Sequence, residues 1–461
     1  MENRPARQAG ILRTLWLLLA LGVVAFLLGR ELLTGPPQIR LESELKGIGR
    51  LTTFSFTATD AWGLRHLSVE IEQGGQTLPV LSETLSSGWS FWRPGLRQWT
   101  RHIEIRASDH PQLQQGQATL RIQARNKNFF SSQSALTQTL PVRLNPPSIQ
   151  VLSGLLYVNQ AGCEMVLYRV SNTAVTSGVK VGEYFFPGYP FPGGQQGDRL
   201  ALFAFPHDAP ADTAAFVAAA DEIGNEALAT FSYRLKTKQF RHRDIEVADQ
   251  FLQTTVPAIF ASTPGLADQG DPLKNFLFVN GTLRERNRRQ IAEISRQTVA
   301  EFLWEGAFLQ LSNTAVESQF ADYRTYIYNG QKVDQQVHLG FDLASVQHAP
   351  VMAANSGRVV FAEYLGIFGN TIILDHGFGL QSLYSHLSAF EAKTGESVQK
   401  GQVIGKTGTT GLAGGDHLHF TMLLAGVEVN PIEWWDPLWI EQHIRAKLAS
   451  PNEPNKPSEP N

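Results

Sequence analysis

Between Thr14 and Gly29 the chain reads TLWLLLALGVVAFLLG, 16 residues without a charge, with Arg4, Arg7 and Arg13 before it and Arg30 after it. In lipid every backbone polar group must find its partner within the segment, so such a run has one open conformation, an α-helix. Sixteen residues fall short of the roughly 20 that cross a bilayer. Ile11, Leu12, Leu32 and Leu33 lengthen the run, and Arg13 and Arg30 can carry their charges out to the headgroups. A cleaved signal peptide needs a small-x-small site behind the apolar run. LLGRELL offers bulky and charged residues there instead. The sequence therefore predicts an uncleaved transmembrane anchor over 11–33, with 1–10 as a cytoplasmic tail because arginines stay on that side. No second span of comparable length follows, so a single pass is expected.

A chain of 461 residues exceeds what one core organises. Its net charge of −3 supplies no field for nucleic acid. The single cysteine, Cys163, excludes an intramolecular disulfide framework and a multi-cysteine zinc site. It is expected to be a buried apolar residue.

Pro36 and Pro37 end the anchor. From 38 to 145 short alternating segments (LTTFSFTATD, LSVEIEQ, RHIEIRASD, ATLRIQARN) are separated by turn residues, the pattern of a β-sandwich. Asn145–Pro147 reads as a linker, and a second set of short strands fills 147–236. FVAAADEIGNEALATFSYRL (216–235) echoes TFSFTATDAWGLRHLSVEI (53–71), which predicts one or two immunoglobulin-like modules in weak repeat. A helical connecting segment is expected over 237–312. There Thr282 and Glu285 form a capping box, and apolar residues recur at near-helical spacing from Leu283 to Leu303. Arg284, Arg286, Arg288, Arg289 and Arg296 would give that helix a basic face, expected to be solvated, with an anionic wall polymer as the alternative contact. The segment 441–461 reads as a tail whose last eleven residues, PNEPNKPSEPN, are too polar and proline-rich to order.

The region 313–440 carries the chemistry. It holds His338, His348, His376, His386, His417 and His419, half of the chain's twelve histidines. GGDHLHF (414–420) places His417 and His419 two positions apart, on one face of a strand. VHLGFDLA offers His338 and Asp342, which an extended run would also put on one face, with Gly340 removing a side chain between them. His338, Asp342 and His419 supply two neutral nitrogens and a carboxylate, a donor set for catalytic Zn²⁺ with a position left for water. The resulting net charge of about +1 would acidify that water. His386, in LYSHLS, becomes a second cleft imidazole beside His417. One of the two would assist deprotonation of the water, and the other would bind the oxyanion or protonate the leaving amine. Residue types do not divide the roles. His348 is expected in a surface turn and His376 in a turn or at the groove. His66, His102, His110, His207, His242 and His443 have no partners at ligand spacing.

HLGFDLA, GNTIILDHGFGLQSLYSHLS, VQKGQVIGKTGTTGLAGGDHLHF and VNPIEWW, in this order, resemble the lysostaphin-type (LytM-like) zinc metallopeptidases, which are peptidoglycan endopeptidases. The resemblance covers about residues 318–440. It implies an antiparallel β domain of the duplicated-hybrid-motif type with a groove across one sheet, His338, Asp342 and His419 as zinc ligands, and His386 and His417 as catalytic non-ligand histidines. SQFADYR resembles the stretch preceding the metal site, at looser spacing, and no role passes to Arg324.

The fold class expected is thus mainly β: a transmembrane helix, one or two sandwich modules, a helical connector and a C-terminal peptidase domain. The protein would sit in the bacterial inner (cytoplasmic) membrane with its C-terminal domains in the periplasm or outside the cell. It would cut peptide cross-links of peptidoglycan, D-alanyl–diaminopimelyl bonds first among them and glycine bridges as the other substrate the resemblance implies, and regulatory envelope proteins are further expected partners. The β modules and the connector would act as a spacer, regulator or wall-binding platform, one hypothesis being that the connector covers the groove and restrains hydrolysis. Two alternatives differ in class: an inactive peptidoglycan-binding scaffold that activates an amidase, and a phosphohistidine carrier of related fold. The anchor and Asp342 argue against the carrier.

Overall fold

Residues 4–85, 93–128 and 131–449 are described by the structure, a computed structural model; the expected disorder of the last eleven residues lies outside them. The apolar run forms one helix, α1 (Arg4–Thr34). Its most apolar window, Leu12–Gly29, is 18 residues long and unburied, about 27 Å at the helical rise. Gly35 (φ 64°) ends it in the left-handed conformation that glycine adopts at no steric cost. Length and composition suffice to cross a membrane, a property that signal sequences share.

The chain divides into two compact units, 1–146 with 220–226, and 147–219 with 227–461. In the first unit, a three-stranded sheet (Gln38–Leu41, Leu51–Thr59, Gln98–Arg106) and a four-stranded sheet (Gln76–Thr84, Leu64–Gln73, Gly116–Asn126, Gln133–Val142) share one core. Phe54, Phe56 and Ile105 meet Leu67, Val69 and Ile122 there. The strict inside–outside alternation of Leu51–Thr59 explains why this half-exposed strand is legible in the sequence.

The echoed segments are not topological equivalents. TFSFTATDAWGLRHLSVEI crosses from one sheet to the other, whereas FVAAADEIGNEALATFSYRL holds two neighbouring strands of one sheet, Ala215–Asp221 and Glu226–Thr230. An apolar strand followed by an acidic turn is a local pattern, and it does not fix which sheet the next strand joins.

In the second unit the core formed by Cys163–Val170 and Asp198–Ala204 continues without a break into the C-terminal region. Cys163 is fully buried, as expected. Its amide donates to Glu433 Oε2 at 2.6 Å. Glu164, buried, pairs with Lys447 Nζ and lies 2.7 Å from His443 Nδ1.

The C-terminal region is built on an eight-stranded, largely antiparallel sheet. Its order is Ala315–Ser318, Phe341–Ala344, Leu418–Leu424, Leu380–Leu387, Asn370–Gly377, Gly357–Tyr364 and Ser397–Val398, with Val427–Val429 alongside Leu418–Leu424. A three-stranded sheet stands beside it. In that sheet His242–Glu246 pairs in parallel with Asp322–Tyr328, which pairs with Gln331–His338.

The connector differs from expectation. It holds α2 (Asp249–Ser262), α3 (Pro272–Phe278) and α4 (Arg284–Ile294), with a π-turn, Val279–Leu283, joining the last two. Asp271 caps this run, accepting from the Lys274 amide at 2.9 Å, so Thr282 lies inside a helix and caps nothing. The helix stops at Ile294 because the following segment is taken up by the sheet. The Phe378 amide donates to the Val299 carbonyl at 2.8 Å and the Leu303 amide to the His376 carbonyl at 3.0 Å. Phe302 packs on Phe378 with ring centroids 4.4 Å apart. Tertiary pairing here overrides a helical period.

Candidate metal centre

Three strands deliver the cluster. His338 ends Gln331–His338, Asp342 is the second residue of Phe341–Ala344, and His419 is the second residue of Leu418–Leu424. Asp342 and His419 are direct cross-strand partners, as are Asp322 and His338. His338 and Asp342 therefore do not share one extended run. The chain leaves the small sheet after His338 and enters the large one at Phe341, and this bend brings the two side chains together. Gly340 sits at the bend, where a Cβ would come within 2.6 Å of the His419 ring nitrogen Nε2.

One ligand-type atom from each of the three residues lies within 4.8 Å of the others. His338 Nε2 is 2.9 Å from Asp342 Oδ1 and 3.0 Å from His419 Nδ1, and His419 Nδ1 is 3.0 Å from Asp342 Oδ1. His338 Nδ1 faces the Gln319 carbonyl at 3.2 Å, to which it donates, so Nε2 of the neutral ring turns a bare lone pair on the cluster. A lone pair directed at a carboxylate oxygen and a second imidazole nitrogen is electrostatically unfavourable without a cation between them. Two imidazole nitrogens and one carboxylate in a nearly buried site fit a divalent ion of the zinc type.

His417 and His386 stand beside the cluster. His417 Nε2 is 3.4 Å from Asp342 Oδ1, and the His386 and His417 rings are 4.9 Å apart. His417 Nδ1 donates to the Gly415 carbonyl at 2.8 Å and His386 Nδ1 to the Thr410 carbonyl at 2.7 Å. Both rings thus keep Nε2 for the interior. His386 adopts φ 62°, a costly conformation for a side-chain-bearing residue and one that concentrates at functional sites.

Burial works against the charge on Asp342, yet the positive charge His338 carries in its protonated form, together with hydrogen bonds from His338, His417 and His419, holds its carboxyl well below the usual range; a metal ion in the cluster would take the place of that proton. Burial pushes His419 down to about 4 and His386 well below the ordinary histidine value. His417 is desolvated too, but hydrogen bonding to Asp342 and its negative charge raise it overall.

Arg324, to which the sequence assigned no role, is part of the site. Its Nη2 donates to Asp342 Oδ2 at 3.2 Å and to Ser318 Oγ at 2.8 Å. Arg243, from the connector strand, donates to Asp322 Oδ2 at 2.8 Å and Ser318 Oγ at 2.7 Å.

The five residues line a cavity of about 710 Å³. α2 contributes Gln250, Phe251, Thr254 and Thr255 to its wall, and α4 contributes Arg284. The expected basic face is thus divided. Arg284 points into the cavity, Arg288 lies 3.6 Å from Glu428, and Arg289 and Arg296 pair with Glu285 and Glu293 of their own turns. His376 is fully buried, with Nδ1 donating to the Ser356 carbonyl at 2.8 Å and Nε2 2.7 Å from Ser382 Oγ. His348 lies in a turn, 3.0 Å from Ser388 Oγ. Neither lines this cavity.

Comparison with known proteins places residues 336–431 on the model of peptidase family M23. The chain is 40% identical over 97 residues to the DD-carboxypeptidase/endopeptidase Mpg of Neisseria meningitidis, covering 21% of this chain and 22% of that protein. It is 35% identical over 127 residues to the peptidoglycan DD-endopeptidase ShyC of Vibrio cholerae, covering 27% and 29%. Among solved structures, the catalytic domain of the antimicrobial peptidase lysostaphin from Staphylococcus simulans is 30% identical, covering 28% of this chain and 98% of that one, with a TM-score of 0.25. The match thus spans less than a third of either curated relative's length.

Proposed function

Because its residues 336–431 belong to peptidase family M23, we propose that this chain is a membrane-anchored zinc endopeptidase that hydrolyses peptide cross-links of peptidoglycan. The observation that carries the reading is the convergence of His338, Asp342 and His419 on one point, with two further imidazoles open to the same cavity. Mpg and ShyC act, by their names, on DD-peptide bonds, which favours D-alanyl–diaminopimelyl links as substrate.

In this reading His338 Nε2, an Asp342 oxygen and His419 Nδ1 hold the zinc, which when bound polarises the scissile carbonyl and acidifies water. Gln319 fixes the His338 tautomer. Arg324 occupies the outer oxygen of Asp342 and leaves Oδ1 to the imidazoles. His386 and His417, each anchored through Nδ1 to a backbone carbonyl, work through Nε2. One accepts a proton from the attacking water, and the other donates one to the leaving amine. Phe251 and Phe368, both on the cavity wall, limit bulk water around the reacting atoms. The Leu12–Gly29 helix serves as an uncleaved anchor, with the remaining chain on the envelope side of the inner membrane.

The test is metal content together with muropeptide release from purified sacculi, for wild type and His417→Ala. Stoichiometric zinc in both proteins, with cleavage by the wild type alone, is expected. A metal-free wild type that cuts nothing yet stimulates an amidase would replace this reading with the scaffold.

A further inference from the structure

Arg284 faces the same cavity as the histidines, but no acidic group holds it. Nε donates to the Asn280 carbonyl at 2.9 Å and Nη2 to Asn280 Oδ1 at 2.5 Å, both partners lying one turn back on its own helical run. No carboxylate among the described residues lies within ion-pair distance, and Nη1 has no hydrogen-bond partner among them. Asp334, whose charge reaches Arg284, is itself engaged by Asn280 Nδ2 at 2.8 Å. Phe276, Tyr326 and Ile367 make the surrounding wall apolar. Desolvation outweighs every compensating charge and pushes the guanidinium down to about 10.

Arg324, on the same cavity, is the contrast. Its charge is spent on Asp322 and Asp342. Arg284 is half-buried, and a partly desolvated cation without a counter-ion is costly to fold around. The cost is recovered when an anion arrives, and a carboxylate matches the guanidinium fork.

We propose that Arg284 anchors a carboxylate of the substrate, so that the cavity selects stem peptides carrying a free carboxylate. This rests on the peptidoglycan reading above and adds to it the group that is recognised. A stem peptide offers its carboxylate at the C-terminal D-alanine, on diaminopimelate or on D-glutamate, and all three present the same chemistry.

Titration calorimetry of the full-length, zinc-loaded protein tests it. The probe is the stem tetrapeptide L-Ala–D-Glu–diaminopimelate–D-Ala, as the free acid and with its carboxylates amidated singly and together. Amidation of one position should weaken binding about ten- to a hundredfold, which also identifies the source. Arg284→Gln should bind acid and amide alike, and Arg284→Lys should keep part of the preference. Equal affinity of the wild type for acid and fully amidated peptide, or binding of neither, overturns the proposal. That comparison needs no variant, so it stands even where Arg284→Gln misfolds. Hydrolysis of a cross-linked dimer, followed in parallel, reports separately on the peptidase reading. Discrimination without hydrolysis would sink the peptidase and leave the anchor. Hydrolysis of acid and amide with equal KM would sink the anchor and leave the peptidase.

Discussion

Arg324 Nη2 lies 3.2 Å from Asp342 Oδ2, while the other oxygen of the same carboxylate faces His338, His417 and His419. One aspartate is thus divided between a guanidinium that orients it and imidazoles that meet at a point. Outer partners of this kind commonly contribute 10- to 100-fold in metal affinity. Arg324→Gln should weaken zinc binding by about that factor in competition with a chromophoric chelator. Unchanged affinity in a folded variant would remove Arg324 from the site.

The five cavity residues should separate into two groups. His338→Ala should lose stoichiometric zinc together with activity. His386→Ala and His417→Ala should keep the metal and lose hydrolysis by a factor on the order of 10²–10⁴, the usual worth of a positioned proton-transfer group. Metal analysis beside single-turnover cleavage checks this, and loss of zinc from His386→Ala would move that residue into the ligand set.

α2 forms one wall of the cavity and is held by Leu252, Val256 and Ile259, all buried. If it restrains substrate entry, Leu252→Asp with Val256→Asp should free it and raise the rate of sacculus cleavage several-fold. Deleting the whole connector is the wrong test, because His242–Glu246 and the stretch after Ile294 are built into the sheets that carry the cluster. An unchanged or lower rate in a folded protein would show that α2 does not obstruct.

His376 gives a pH dependence with a definite sign. Burial pushes it down to about 4, against about 6.5 when unfolded. Between those values the unfolded chain binds the proton and the native state does not. Stability is therefore full above about pH 6.5 and falls as pH drops toward 4, by on the order of 3 kcal/mol. Urea melts at pH 7 and pH 4.5 should show the loss, and His376→Gln should flatten that slope whatever it does at neutral pH.

Much of this arrangement was legible in the residues. His417 and His419 announce themselves by period two, and Leu51–Thr59 by its alternation, because in a strand sequence spacing and spatial direction are the same thing. The helical period from Leu283 to Leu303 misled for the converse reason. Val299 and Phe302 satisfy it, yet they pair and pack against the sheet around Phe378, a partner some 80 residues distant that no local pattern reports. Arg284 and Arg324 stayed hidden likewise. Nothing in an arginine's flanks separates one that meets solvent from one turned on a carboxylate or a cavity.

The buried pairing of Glu164 with Lys447 closes a loop of 283 residues. During synthesis the carboxylate emerges long before its partner, and contacts of such separation form late. The unit that holds the histidine cluster therefore cannot finish packing until Lys447 has left the ribosome. A chain released short of Lys447 would strand an unneutralised acid in its interior and go to quality-control proteases.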